Sequence, residues 1–78
     1  MKKLNFKVKP LDLHSIKHSD VFNLVENYVL CRQTYFPLKI ITGNSDRMKN
    51  IVIKCLDLHK FKYHIGDKFN KGYILVTG

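Results

Sequence analysis

The 78 residues spell a two-layer α/β domain of element order βαβαββ, with a mixed four-stranded sheet and two helices on one face of it. Three features predict it. Two stretches, starting at Val21 and at Met48, repeat apolar residues three and four apart, the spacing of one buried helix face. Four short stretches, near Leu11, Leu38, Lys62 and Gly72, alternate or are wholly aliphatic, as strands are. Pro10, Pro37, Gly43, Gly66 and Gly72 punctuate the chain between them. The length fits one small domain over residues 10–78 behind an extended arm at 1–9, and it excludes a multidomain enzyme or a large ligand cage.

Leu4-Asn5-Phe6-Lys7-Val8-Lys9 alternates and suits a half-buried extended segment, which Pro10 interrupts because it cannot donate to a ladder. Leu11-Asp12-Leu13-His14 resumes the alternation. Successive strand side chains point to opposite faces, so Leu11 and Leu13 face a core while Asp12 and His14 emerge together, with Cα atoms about 7 Å apart. The first helix is expected over residues 19–33, with Ser19 as N-cap, Asp20 in the first turn, and Val21, Leu24, Val25, Tyr28 and Val29 as its buried stripe. Phe36-Pro37 breaks it. Leu38-Lys39-Ile40-Ile41-Thr42 then reads as a buried strand ended by Gly43. The second helix starts after Ser45, its stripe being Met48, Ile51, Val52, Cys55 and Leu56, with Asp46 near the positive end of the dipole. Lys62–Ile65 and Gly72–Thr77 are the last strands, joined as a hairpin through the polar stretch 66–71.

Fourteen Lys+Arg against six Asp+Glu give a net charge of +8, and a 45% hydrophobic content marks a folding domain rather than a basic disordered tail. A small domain buries only about 60% of its unfolded surface, so bound molecules are expected on the outside. The cationic surplus points to polyanions, RNA or DNA first. Charge interrupts any signal-peptide run behind Lys2 and Lys3, and nowhere are 18 apolar residues consecutive, so a cytoplasmic protein acting as a monomer, away from membranes, is expected. Cys31 and Cys55 stand alone, without a CxxC pair, and read as reduced core residues.

Chemistry is expected in two places. Thr42-Gly43-Asn44-Ser45-Asp46 lies between a strand end and a helix start, where unpaired amides converge and the dipole favours an anion; a plain turn capped by Ser45 is the bland alternative. Asp12 and His14 share a face at the C-terminal end of the first strand, the edge where open α/β sheets work. There an imidazole can move a proton near neutral pH while a carboxylate orients it. Lys17, Lys39, Arg47 and Lys49 fall near the same edge and suit phosphates. The four letters recur as Leu56-Asp57-Leu58-His59, but on a helix Asp57 and His59 lie about 200° apart around the axis, so the repeat is not a second site. His59 and Lys60 are expected to soften the negative end of that helix. His14 and His18 have metal-pair spacing without the helix such a pair needs, and no third ligand is evident. Tyr35, Tyr63 and Tyr73 are the rings with no assigned place in the core.

The order of Leu11-Asp12-Leu13-His14, Leu38-Lys39-Ile40-Ile41-Thr42-Gly43 and Gly72-Tyr73-Ile74-Leu75-Val76 resembles that of the Smr domain, the small MutS-related module, over residues 10–77. The resemblance implies a fold similar to the C-terminal domain of the third bacterial translation initiation factor, nucleic-acid binding, and endonuclease activity in many members. It places the family's LDxH motif on Leu11, Asp12, Leu13 and His14, and starts its TGxG turn at Thr42 and Gly43. Two departures stand out: Ser45 replaces the second glycine of that turn, and Ser15 replaces the glycine that commonly follows LDxH. The expectation is a stand-alone Smr-like endonuclease, RNA favoured over DNA, with Asp12 and His14 catalytic and Thr42, Gly43, Asn44, Ser45, Lys17, Lys39, Arg47 and Lys49 holding phosphates. The alternatives are a non-catalytic RNA- or DNA-binding module of the same fold and a small adaptor binding protein through residues 4–8. Attack by an RNA 2′-hydroxyl requires no cofactor; DNA cleavage calls for an activated water, for which Asp12 and Asp46 are the candidate Mg²⁺ ligands.

Overall fold

The computed structural model describes residues 8–78. The extended segment expected at residues 4–9 lies outside the described residues up to residue 7. The elements are β1 (Leu11–Asp12), α1 (His18–Leu30), β2 (Leu38–Ile41), α2 (Asp46–Leu58), β3 (Tyr63–Ile65) and β4 (Tyr73–Val76), with a 3₁₀ turn at Gln33–Tyr35. The strands form one mixed sheet of order β1-β2-β4-β3, in which β1 runs parallel to β2 and the other pairs are antiparallel. This is the expected βαβαββ domain of two helices and four strands.

One cluster of buried side chains holds the layers together. Val21, Val25, Tyr28 and Val29 of α1, Met48, Val52, Cys55 and Leu56 of α2, and Leu38, Ile40, Ile74 and Val76 of the sheet belong to it, with Leu13 from the segment after β1. The three-and-four spacing therefore marked both helix faces, and the strand period of two marked the sheet face. The opposite side of the sheet carries the alternate residues. Asp12 pairs with Ile41 and Ile41 with Tyr73, giving one row across three strands, while Lys39 pairs with Leu75 and Leu75 with His64 in the next.

Both ends of α1 depart from expectation. It starts at His18 because Lys17, with φ −64° and ψ 138°, is the last extended residue; Ser19 lies inside the first turn and caps nothing. It ends at Leu30 rather than 33, because its last carbonyls are taken locally. The Cys31 N–H donates to the Asn27 carbonyl (3.1 Å) and Arg32 N–H to Val29 (3.0 Å), while side-chain nitrogens of Arg32 and Gln33 reach the carbonyls of Tyr28 (3.3 Å) and Leu30 (3.2 Å). Phe36, held extended before Pro37, forbids further winding. Cys31 is a second correction: it is a free thiol on the surface at this helix end, not in the core. Cys55 is buried and free, and burial, with Glu26 adding to it, pushes its thiol up to about 11.

Candidate functional site

The first strand is shorter than its alternating pattern. Pairing stops at Asp12, one further bond runs from the Leu13 N–H to the Ile41 carbonyl (3.0 Å), and the chain turns at Ser15, whose φ is +66°. Leu13 is nevertheless drawn fully into the core, at 1% exposure. That anchor fixes the residues either side of it on the surface. The Asp12 carboxylate oxygen Oδ1 accepts the backbone N–H of His14 at 2.9 Å and lies 2.8 Å from His14 Nδ1. The His14 N–H comes first among the influences holding the Asp12 carboxyl below its ordinary value. An imidazole whose Nδ1–H donates to this carboxylate presents Nε2 outward as its basic nitrogen. Asp12 and His14 thus meet as expected, through a turn rather than along a strand.

The parallel pairing of β1 with β2 puts that imidazole beside the turn leading into α2. Gly43 has φ +68°, and a Cβ built on it would lie 3.6 Å from His14 Nε2, so the imidazole stands beside the turn with about the width of a methyl group between them. Left-handed backbone favours glycine here; space alone would admit a methyl group. The other side of the turn is fastened by a contact that sequence reasoning missed. The Gly72 carbonyl, just before β4, accepts both the Thr42 N–H (2.9 Å) and the Gly43 N–H (2.8 Å). Thr42 is buried at 5% exposure and its hydroxyl donates to the Gly43 carbonyl (3.0 Å).

Those bonds decide which amides can meet an anion. The Gly43 N–H, expected as a phosphate donor, is occupied; among the described residues the amides of Asn44 and Ser45 donate to no protein acceptor. Ser45 is the N-cap of α2, its Oγ accepting the Met48 N–H at 3.2 Å, as expected, and Asp46 sits in the first turn. The positive end of the α2 dipole therefore opens next to His14.

The four cations distribute unevenly. Arg47 is exposed in the first turn of α2, and Lys17 is exposed just before α1. Lys39 stands on the sheet face opposite the helices with its ammonium 4.6 Å from the centre of the Tyr73 ring. Lys49 turns into a shallow groove with Asp46, Asn50, Ile53, Ile65 and Lys71. Among the described residues no group of three or more His, Cys, Asp or Glu side chains is placed to hold a metal ion.

The second copy of the tetrapeptide behaves otherwise. Asp57 Oδ1 accepts the Tyr63 hydroxyl at 3.1 Å, while His59 Nε2 lies 2.8 Å from Glu26 Oε2, tying the end of α2 to the middle of α1. His59 was expected only to face the dipole; its partner lies 33 residues away and has no local signal. No helix of the described residues is long and apolar enough to cross a membrane. Comparison of the chain with family models, with curated proteins and with solved structures finds no match.

Proposed function

We propose that the chain is a nucleic-acid-binding phosphodiesterase, an Smr-like endonuclease acting on RNA in preference to DNA. The reading extends to a fold like the C-terminal domain of the third bacterial translation initiation factor and to a monomer working in the cytoplasm. One observation carries it: a histidine ordered by a neighbouring carboxylate at 2.8 Å, its other nitrogen beside the turn that opens α2. The net charge of +8 supplies the attraction for a polyanion.

In this reading an RNA phosphate rests on the Asn44 and Ser45 amides at the positive end of α2, with Arg47 beside it. His14 Nε2 takes the proton of the 2′-hydroxyl, whose oxygen forms a bond to phosphorus as the bond from phosphorus to the 5′-oxygen breaks. That oxygen leaves with a proton from solvent, giving a 2′,3′-cyclic phosphate and a 5′-hydroxyl. Asp12 keeps Nε2 as the basic nitrogen and steadies the imidazolium that forms. Purified protein is incubated with labelled single- and double-stranded RNA and DNA, with and without EDTA, beside His14→Ala. Cleavage of RNA that persists in EDTA and is lost in the variant supports the scheme; cleavage unchanged in the variant removes His14 from it.

A binding module of the same fold is the second reading, and a specific observation favours it. Ser45 stands where the resembled family has its second glycine, and the Gly43 amide is held by Gly72, so fewer backbone donors face the phosphate. Salt-sensitive binding without cleavage, in wild type and variant alike, distinguishes it.

A further inference from the structure

The hairpin loop between β3 and β4 holds an aromatic ring in water. Phe69 is 97% exposed, the most exposed of the large apolar side chains described, and it is flanked by Lys68 and Lys71, both exposed. A loop that left a phenylalanine loose would need no explanation, but this loop is built. Asp67 Oδ1 accepts the N–H groups of Phe69 (2.8 Å) and Asn70 (2.6 Å), and Oδ2 accepts the Tyr73 hydroxyl (3.2 Å). The Asp67 N–H returns to the Asn70 carbonyl at 2.9 Å, and Asn70 Oδ1 accepts the Gly72 N–H at 2.8 Å. The acidic group at the loop's base is thereby occupied, leaving an exposed ring in the stretch Lys68-Phe69-Asn70-Lys71.

The loop is continuous with the candidate site. Gly72 is the residue whose carbonyl fastens Thr42 and Gly43, and a Cβ on it would meet Gly43 Cα at 3.5 Å. Two residues lie between Phe69 and Gly72, which puts their Cα atoms at most about 10 Å apart. The loop therefore rises from the same edge of the sheet as His14 and the turn.

We propose that Phe69 is a stacking platform for an unpaired base next to the bound phosphate, with Lys68 and Lys71 on the flanking phosphates, so that the ligand is single-stranded nucleic acid. This rests on the nucleic-acid reading above and names its substrate class. An aromatic face accepts any base, and a paired base in a duplex has its faces already stacked. The platform gives preference for unpaired over paired strands with little preference among bases.

Binding is measured by fluorescence anisotropy in the His14→Ala background, where no strand is cut, with three probes: a labelled single-stranded RNA, the same strand with a run of base-free nucleotides, and vesicles containing phosphatidylglycerol. Phe69→Ala is expected to weaken binding of the intact strand about 5- to 150-fold, Phe69→Trp to retain it, and both to bind the base-free strand alike. Because Phe69 touches no phosphate, its removal leaves the salt dependence unchanged, whereas replacing Lys68 and Lys71 together lowers the log–log salt slope by about 1.4. Equal affinity of Phe69→Ala and its parent for the intact strand overturns the platform alone. Loss of vesicle binding with RNA affinity intact overturns it in favour of a membrane-inserting tip. A parent protein that binds neither strand overturns the nucleic-acid reading and the platform with it. An exposed substitution leaves the fold intact, and unchanged circular dichroism verifies that.

Discussion

Leu-Asp-Leu-His occurs twice, at residues 11–14 and at 56–59, and the two copies do different things. In the first, on extended chain turning out of β1, Asp12 and His14 fall on the same side and bond to each other at 2.8 Å. In the second, at the end of α2, Asp57 turns to Tyr63 and His59 to Glu26. The leucines divide in the same way. Leu13 is buried at 1% and Leu56 at 0%, while Leu58 is 65% exposed. Both copies are followed by a non-glycine residue in left-handed backbone, Ser15 at φ +66° and Lys60 at φ +60°. Behind the helical copy this closes the helix: Phe61 N–H donates to the Leu56 carbonyl (2.9 Å) and Lys60 N–H to Asp57 (3.0 Å). Identical letters thus make a carboxylate–imidazole pair on extended chain and two structural ties on a helix. The period of the backbone, not the residue types, decides which.

The largest contrast is in activity. If the first copy is the site, His14→Ala lowers the rate of RNA cleavage by about 10²- to 10⁴-fold, the usual worth of a positioned acid–base group. His59→Ala leaves cleavage unchanged and instead lowers stability by about 1 kcal/mol, the scale of one hydrogen bond, read from urea denaturation. Equal effects on cleavage would erase the distinction.

Stability sharpens the comparison at the leucines. Leu13→Ala is expected to cost about 2–5 kcal/mol, as buried leucines do, and Leu58→Ala less than about 0.5 kcal/mol. Thermal melts of the pair check both.

Smaller again is the effect of the residues behind each copy. Ser15→Gly and Lys60→Gly each relieve a left-handed side chain, which is worth about 1 kcal/mol before the greater freedom of glycine in the unfolded chain takes part of it back. Both variants should melt slightly higher than the parent. A lower melting temperature for Ser15→Gly would mean that the turn after His14 is held by its side chain rather than strained by it.

The smallest contrast is with pH. The Asp12 carboxyl is held low chiefly by the His14 N–H. Its folded-state value lies below its unfolded one, so its contribution is complete above the ordinary carboxylate range and is lost as pH falls through the depressed value. Asp12→Asn should flatten the acid limb of the stability curve, measured as urea midpoints against pH. Asp67, lowered first by the N–H groups of Asn70 and Phe69, contributes in the same direction and sets the slope that remains.

What was legible in the sequence follows the same division between local and distant causes. The helix stripes, the Ser45 cap and the partnership of Asp12 with His14 each depend on residues within four of one another, and each is found as expected except Leu24, which belongs to the stripe by spacing but is 38% exposed. The early end of α1 depends on carbonyls captured by Arg32 and Gln33, side chains whose rotamers no periodicity reports. The clasp of Gly72 on Thr42 and Gly43, and the bond from His59 to Glu26, join residues about thirty apart and exist only once the sheet and helices are assembled. The clasp changed the candidate site most, because it occupies the Gly43 N–H and leaves the Asn44 and Ser45 amides as the candidate donors.

The central claim is that the notch between His14 and the turn at Gly43 receives a nucleic-acid phosphate. It is tested most directly by recording the histidine ring ¹H–¹⁵N signals of the intact protein while titrating a single strand that carries 2′-deoxy sugars and so resists 2′-hydroxyl attack. His14 signals that shift with saturation while those of His59 stay in place are the expected result. A strand that binds and saturates while His14 stays still would contradict the account.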